Sequence, residues 1–183
     1  MDYIGVDLGT SAVKLLLMDA EGRIRKIVSK EYPLSLPKPG WSEQNPQDWL
    51  DKTLEGLREL TEGVPPEEIG GIGIGGQMHG LVTLDKDDRP IRPAILWNDG
   101  RSQEETQYLN EVIGKEKLAR YTANIAFAGF TAPKILWMKK NEPEAFGRVA
   151  KIMLPKDFLV YKLTGVFATD LSDASGMLLL DVK

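Results

Sequence analysis

The chain has 183 residues, 42% hydrophobic and 27% charged, a composition typical of a water-soluble globular protein. Its net charge of −4 and isoelectric point of about 5.2 argue against a nucleic-acid or anionic-membrane surface, so we expect neither as a partner. There is no cysteine, which excludes disulfides and zinc sites with cysteine ligands. With no membrane-spanning apolar run and no recognisable secretory leader, a cytoplasmic location is expected.

The first third of the chain predicts an antiparallel meander. Two apolar runs, Tyr3–Val6 and Val13–Met18, are typical of buried strands. A turn at Gly22 then leads into a third predicted strand, Arg23–Ser29.

The polar turn between the first two strands is a candidate phosphate-binding loop. A glycine lets the backbone bend so that successive N–H groups converge on an anion, and two hydroxyls add further donors. A lysine can place positive charge beside the same anion, and an aspartate can hold hydrated magnesium. The same residue types also make ordinary turns, so both interpretations remain open at this point. The residues concerned are Asp7, Gly9, Thr10, Ser11 and Lys14.

The next segment predicts a helix that crosses over to a further strand. Asn45 is a good N-cap, and the helix Pro46–Glu62 starts with proline where its missing N–H is tolerated. The strand Ile69–Gly76 should then lie in the same sheet as Tyr3–Val6. We therefore predict an α/β fold with a mixed sheet, an antiparallel meander followed by parallel strands, and helices packed against it.

The strand Ile69–Gly76 alternates isoleucine with glycine. Gly71, Gly73 and Gly75 occupy one face, where another backbone or a ligand can approach closely. The run formally matches the dinucleotide-binding Gly-x-Gly-x-x-Gly pattern. That pattern must open a helix, however, and here Gln-Met-His-Gly and the predicted strand Leu81–Leu84 follow, so the dinucleotide interpretation is rejected.

The second half is predicted to be mostly helical. An aromatic, an amide and a carboxylate, Trp97, Asn98 and Asp99, end a predicted strand and are candidate pocket residues. The apolar run Met177–Leu180 has no polar cap and predicts exposed surface, which would favour self-association, in the simplest case as a homodimer. The predicted elements are strands at Ile91–Trp97 and Lys151–Leu154 and helices at Arg101–Ile113, Glu116–Tyr121, Pro133–Asn141 and Asp157–Leu163.

Six segments together resemble the FGGY carbohydrate kinases, and within that family the xylulokinases. The phosphate loop alone is shared with Hsp70-type chaperones and actin, whereas Gln-Met-His-Gly together with Leu-Trp-Asn-Asp-Gly-Arg is specific. Glycerol kinases carry Arg-Glu where Met78-His79 stand, so a triol substrate is disfavoured. The segments are Tyr3–Lys14, Gly40–Pro46, Gly76–Gly80, Ala94–Arg101, Gly129–Trp137 and Leu154–Gly176.

This resemblance implies an actin-like ATPase (ribonuclease H-like) fold and transfer of the γ-phosphoryl group of ATP to O5 of D-xylulose. Asp7 would support catalysis by holding Mg²⁺ through water. The resemblance implies β/γ-phosphate contacts for Gly9, Thr10, Ser11 and Lys14. It implies ketose contacts for Met78, His79, Trp97, Asn98 and Asp99, and His79 is the only histidine in the chain.

The resemblance also implies that part of the machinery lies elsewhere. Members of this family are much longer, and their catalytic aspartate and adenosine site would lie beyond Lys183. Residues 1–183 are therefore expected to be an incomplete N-terminal domain, inactive without a missing C-terminal domain. Ribulose or glycerol as the substrate, and a non-catalytic half-domain that binds sugar or phosphate, are the alternatives. An actin-like chaperone or assembly ATPase is disfavoured by the Met78-His79 and Trp97–Arg101 motifs.

Overall fold

A four-stranded mixed sheet lies at the centre of the computed structural model, which describes residues 1–183, in the strand order β3-β2-β1-β5. The β1–β2 and β2–β3 pairs are antiparallel, and β1–β5 is parallel. The predicted meander and the parallel position of Ile69–Gly76 are thus confirmed. The strands are β1 (Asp2–Leu8), β2 (Ala12–Asp19), β3 (Ile24–Glu31), β4 (Glu43–Gln44), β5 (Ile69–Gly76), β6 (Val82–Leu84), β7 (Ala94–Ile95) and β8 (Lys151–Met153).

The later strands do not extend this sheet. Strand β4 pairs with β7, and β6 pairs with β8, both antiparallel, so β5 is the only strand added in parallel. The predicted strand Ile91–Trp97 is reduced to the two residues of β7. Pro93 precedes β7 and has no N–H to donate to a ladder, which limits how far this strand can pair.

Helix α1 (Pro46–Leu60) covers the inner face of the sheet. Asn45 caps it by accepting a hydrogen bond from the Gln47 N–H at 3.1 Å, as the sequence predicts. Its Gly56 lies so close to Leu15 of β2 that a Cβ would come within 2.5 Å of a leucine methyl group. The side chains buried between them include Ile4, Val6, Leu8, Leu15, Trp49 and Leu60.

Six further helices complete the chain. They are α2 (Gln103–Gln107), α3 (Lys115–Thr122), α4 (Thr131–Asn141), α5 (Pro143–Phe146), α6 (Pro155–Thr164) and α7 (Leu171–Ser175), with a π-helical segment (Tyr108–Gly114) between α2 and α3 and a 3₁₀ turn (Pro66–Glu68) before β5. The predicted helix Arg101–Ile113 is therefore split, and α5 and α7 were not predicted. Gly165 ends α6 in the left-handed conformation, with φ +76°.

The C-terminal apolar run is not an exposed surface, contrary to the sequence prediction. Met177 packs with Leu154, and Leu178 packs with Leu118 and other side chains around α3 and α4. Leu179 is the one exposed residue of this run, and 56% of its surface is accessible. The exposed patch that motivated the prediction of self-association is thus largely absent. No helix of the chain is both long enough and apolar enough to cross a membrane.

Candidate functional site

The turn between β1 and β2 presents two free backbone amides. The Gly9 N–H closes the turn by donating to the carbonyl of Ala12 at 3.1 Å. The N–H groups of Thr10 and Ser11 donate to no other group of the protein. Together with the exposed Ser11 side chain, they form a set of donors of the kind that binds an oxyanion.

A buried amide network holds this loop from behind. The Gln44 Nε2–H donates to the Thr10 carbonyl at 2.6 Å, and its Oε1 accepts from the Trp49 indole at 3.1 Å and from Gln77 Nε2 at 3.2 Å. Gln77 Nε2 also lies 3.5 Å from the Gly9 carbonyl. Because the loop carbonyls are bound on the inner side, the free amides remain on the outer side.

Tyr32 supports the loop from a third direction, and sequence reasoning missed its role. Its hydroxyl donates to the Gly9 carbonyl, and its backbone N–H donates to the Ser11 carbonyl at 3.3 Å. Burial, together with the negative charge of Asp7, raises the pKa of the Tyr32 hydroxyl, which keeps its proton available as a donor. Gln44 and Gln77 were missed as well, although both lie in the segments that carry the family resemblance.

Asp7 and Lys14 are neighbours on the outer face of the sheet. They are cross-strand partners in the β1–β2 ladder, and both are exposed. Neither takes part in any ion pair, so a carboxylate and an ammonium both remain free beside the loop. On the other side of Asp7, β5 places Gly75, which has no side chain to obstruct the space. An exposed carboxylate beside an exposed ammonium is a donor set whose chemistry suits a metal–phosphate group.

Trp97 is in direct contact with the phosphate loop. Its indole N–H donates to the Thr10 hydroxyl oxygen at 3.1 Å, and 42% of the side chain remains exposed. The Thr10 hydroxyl proton therefore stays free for a ligand. Gly129 packs against the Trp97 backbone so closely that a Cβ would lie 2.7 Å from its carbonyl oxygen.

His79 is held in an unusual conformation just after β5. Its φ is +60°, uncommon for a residue other than glycine, and its carbonyl accepts from the Thr131 hydroxyl at 3.1 Å and from Lys134 Nζ at 3.4 Å. Its ring lies 4.5 Å from that of Phe130, and its buried Nδ1 has no hydrogen-bond partner. Neighbouring Met78 is 41% exposed.

The charge state of His79 is set by its surroundings. Burial lowers the pKa of its imidazole, the charge of Lys134 lowers it further, and Asp173 opposes both effects. The ring is therefore neutral at neutral pH, with one nitrogen able to accept and one able to donate. An imidazole in this state can form hydrogen bonds with sugar hydroxyls.

Asp99 and Asn98 differ sharply in accessibility. The Asp99 carboxylate is buried; it accepts from the Ser42 N–H at 2.6 Å and pairs with Arg101 at 2.7 and 2.8 Å. The guanidinium carbon of Arg101 in turn lies 3.7 Å from the centre of the Trp41 ring, a cation–π contact. A sugar contact through the Asp99 carboxylate would require the ion pair with Arg101 to open. Asn98, by contrast, is exposed, beside the segment that contains Trp41.

The predicted site residues thus come from three segments that meet at the carboxyl ends of the central strands. The phosphate loop follows β1, Met78 and His79 follow β5, and Trp97 follows β7. Because β1 and β5 are parallel, their carboxyl ends lie side by side, and the Gln77 N–H donates to the Leu8 carbonyl at 2.8 Å. In open α/β sheets, ligands bind in the crevice outside the carboxyl ends of the strands.

Comparison with known proteins identifies the class to which this domain belongs. The sequence model of the FGGY family of carbohydrate kinases, N-terminal domain, matches residues 2–183. The chain therefore belongs to the FGGY family of carbohydrate kinases.

Individual relatives and solved structures agree with this assignment. The xylulose kinase of Bacillus subtilis is 48% identical over 98% of this chain, which spans 36% of that relative's length. A structure described as a xyloylose kinase from Brucella ovis is 43% identical, with a TM-score of 0.92 over 99% of this chain and 38% of its own. A gluconate kinase from Lactobacillus acidophilus is 31% identical, with a TM-score of 0.93 over 100% of this chain and 37% of its own.

Proposed function

We propose that residues 1–183 are the N-terminal part of an ATP-dependent kinase that phosphorylates D-xylulose at O5. The observation that carries this proposal is the hydrogen bond between the Trp97 indole and the Thr10 hydroxyl. It joins the wall of a candidate sugar pocket to the candidate phosphate loop, so an acceptor hydroxyl and a donor phosphate would meet between them. Phosphoryl transfer depends chiefly on positioning of this kind and on electrostatic stabilisation.

The phosphate side of the proposal rests on free donors and a free carboxylate. The amides of Thr10 and Ser11 and the amine of Lys14 would hold phosphate oxygens. Asp7 is not part of any group of three potential metal ligands. A Mg²⁺ ion at Asp7 would thus take its remaining ligands from water and phosphate, as this ion commonly does. When bound, the ion would neutralise charge on the transferring phosphoryl group.

The sugar side of the proposal rests on the chemistry of the exposed groups. The neutral imidazole of His79 and the amide of Asn98 can form hydrogen bonds with hydroxyl groups, while Trp97 and Met78 offer apolar surface to the carbon skeleton. The xylulose kinase named among the relatives supports a ketopentose, although a gluconate kinase shares the fold.

The test is a coupled assay for ADP release by the complete gene product that contains this chain. D-xylulose, D-ribulose, glycerol and D-gluconate are compared by kcat/KM, and we expect D-xylulose to exceed each of the others by about tenfold or more. A different preferred sugar would overturn the substrate assignment. If no sugar stimulated ADP release, the kinase proposal itself would fail.

A second arm of the test addresses the extent of the machinery. Residues 1–183 offer no recognisable general base, and such a base typically contributes about 10²–10⁴-fold to the rate. We therefore expect the isolated chain to transfer no phosphate to D-xylulose. Turnover by the isolated chain comparable to that of the complete product would show that the catalytic carboxylate lies within residues 1–183.

A further inference from the structure

Lys134 is a buried lysine with no acidic partner. Its side chain, on helix α4, is fully buried, and no carboxylate lies within ion-pair distance of its ammonium group. Burying a charge without a counter-ion is unfavourable, so such residues are rare unless other polar groups compensate for them. Burial lowers the pKa of Lys134 to about 7; the charge of Asp99 opposes this shift, and that of Arg101 adds to it.

Three backbone carbonyls provide that compensation. The Nζ of Lys134 donates to the carbonyl oxygens of Phe130 at 3.1 Å, of Gly129, and of His79 at 3.4 Å. An ammonium group has three donors, so its hydrogen-bonding capacity is fully used. Two of these carbonyls precede α4, and the third follows β5. The lysine thus fastens two separate segments to one point.

Both segments belong to the candidate sugar site. The Phe130 ring packs against the His79 ring, with centroids 4.5 Å apart and planes tilted by 43°, and Gly129 packs against the carbonyl of Trp97. The His79 carbonyl also accepts from the hydroxyl of Thr131, the first residue of α4. Two donors on one carbonyl hold His79 at its positive φ, a conformation that surrounding structure must stabilise.

We propose that Lys134 is a positioning residue of the sugar site, which fixes the orientation of the His79 imidazole by binding the carbonyls of Gly129, Phe130 and His79. The expected effect on catalysis rests on the proposed function. The positioning of the His79 ring by Lys134 does not, because it concerns only residues of this chain. The contrasting view is that Lys134 merely anchors α4 to the core. The two views differ in what happens to the His79 ring when the lysine is replaced.

The test uses His79 as its own reporter in residues 1–183. Because His79 is the only histidine, an untagged chain gives one set of imidazole signals in a ¹H NMR spectrum. At about pH 7 the lowered pKa of His79 leaves the ring neutral, while Lys134, whose pKa is about 7, is still partly protonated, so the His79 chemical shift reports packing against Phe130 rather than titration of the ring. The variants are Lys134→Met and Thr131→Val, and Phe130→Leu supplies the shift of a ring without this aromatic neighbour.

The expected result is that Lys134→Met and Thr131→Val both move the His79 signals toward those of the Phe130→Leu chain. Lys139→Met, on the exposed side of the same helix, should leave them unchanged. Thr131→Ser, which keeps the hydroxyl, should restore the parent signals. If the signals of Lys134→Met match those of the parent, Lys134 is only a helix anchor and the inference is overturned, whatever Thr131→Val shows. Should Lys134→Met fail to fold, Lys134→Gln takes its place under the same criterion.

Kinetics of the complete gene product separate this inference from the proposed function. Lys134→Met should raise the sugar KM by about ten- to hundredfold, the range expected for losing a charge-assisted hydrogen bond, with little change in the KM for ATP. An unchanged sugar KM alongside a displaced His79 ring would refute the role in catalysis. If the parent phosphorylates no sugar, the proposed function fails, and the NMR result alone decides whether Lys134 positions His79.

Discussion

Replacing Gly76 by alanine tests whether the end of β5 must carry no side chain. A Cβ at this position would lie 2.7 Å from Leu8 Cβ and 2.9 Å from the Leu8 carbonyl oxygen. Real Cβ atoms do not occur this close, so β1 and β5 would have to separate where the phosphate loop begins. Overpacking of this kind costs about 1–3 kcal/mol. The hydrogen bond from the Gln77 N–H to the Leu8 carbonyl would also lengthen, so we expect a loss of about 3 kcal/mol.

Gly73→Ala is a matched control on the same strand. A Cβ at Gly73 meets no atom within 4 Å, and its φ is not in the left-handed region. Alanine there should be neutral or stabilising by up to about 1 kcal/mol, because it reduces the entropy of the unfolded chain. The assay is urea unfolding of residues 1–183, followed by the fluorescence of its four tryptophans. Gly76→Ala should lower the midpoint by more than about 1 M relative to Gly73→Ala. Equal midpoints would refute the close-packing argument.

Four further predictions concern the site and its supports. In the complete gene product, Asp7→Asn should lower kcat about 10²-fold with a nearly unchanged sugar KM, and a near-normal kcat would make Asp7 a turn residue. In residues 1–183, Gln44→Leu should cost about 1–3 kcal/mol in urea unfolding, whereas Gln107→Leu on an exposed surface should cost little. Asp99→Asn should cost about 1–3 kcal/mol because it removes a buried carboxylate that pairs with Arg101 while Glu43 still pairs with the same guanidinium, and a loss below about 0.5 kcal/mol would contradict this role. The folded pKa of Lys134 lies below its unfolded value, so the unfolded chain binds more protons between about pH 7 and 10. Stability should therefore rise with pH across that window by up to about 1.4 kcal/mol per unit relative to Lys134→Met, and parallel profiles would contradict the lowered pKa.

Patterns among residues close together in the sequence predicted the strands and helices whose formation depends on local interactions. Two apolar runs identified β1 and β2, and the Asn45 cap with Pro46 identified the start of α1. The glycine pattern identified β5, and the open space at Gly73 and Gly75 leaves that face accessible. The tight backbone contact with β1 at Gly76 was not predicted.

Features that depend on distant partners were not predictable in this way. Gln44 lies in a two-residue strand whose partner, β7, is some fifty positions away, so no local periodicity marks it. The short apolar stretch Met177–Leu180 resembles exposed surface until α3, α4 and α7 are placed around it. Lys134 is the clearest example of such a feature. A lysine in a helix is ordinarily exposed, and the burial of this one depends on backbone carbonyls, such as that of His79, that come together only in the folded chain.

The supports of the phosphate loop link it to the candidate sugar site. Gln77 binds the loop from behind, and it is followed directly by Met78 and His79. Trp97 binds the loop from the front, and its backbone packs against the segment that Lys134 holds. A displacement of the loop must therefore strain both sugar-side segments, because interiors this well packed do not deform independently. In the proposed reaction, whose rate would depend on the distance between an acceptor hydroxyl and a phosphate, such a shared framework would fix both reactants from one set of contacts.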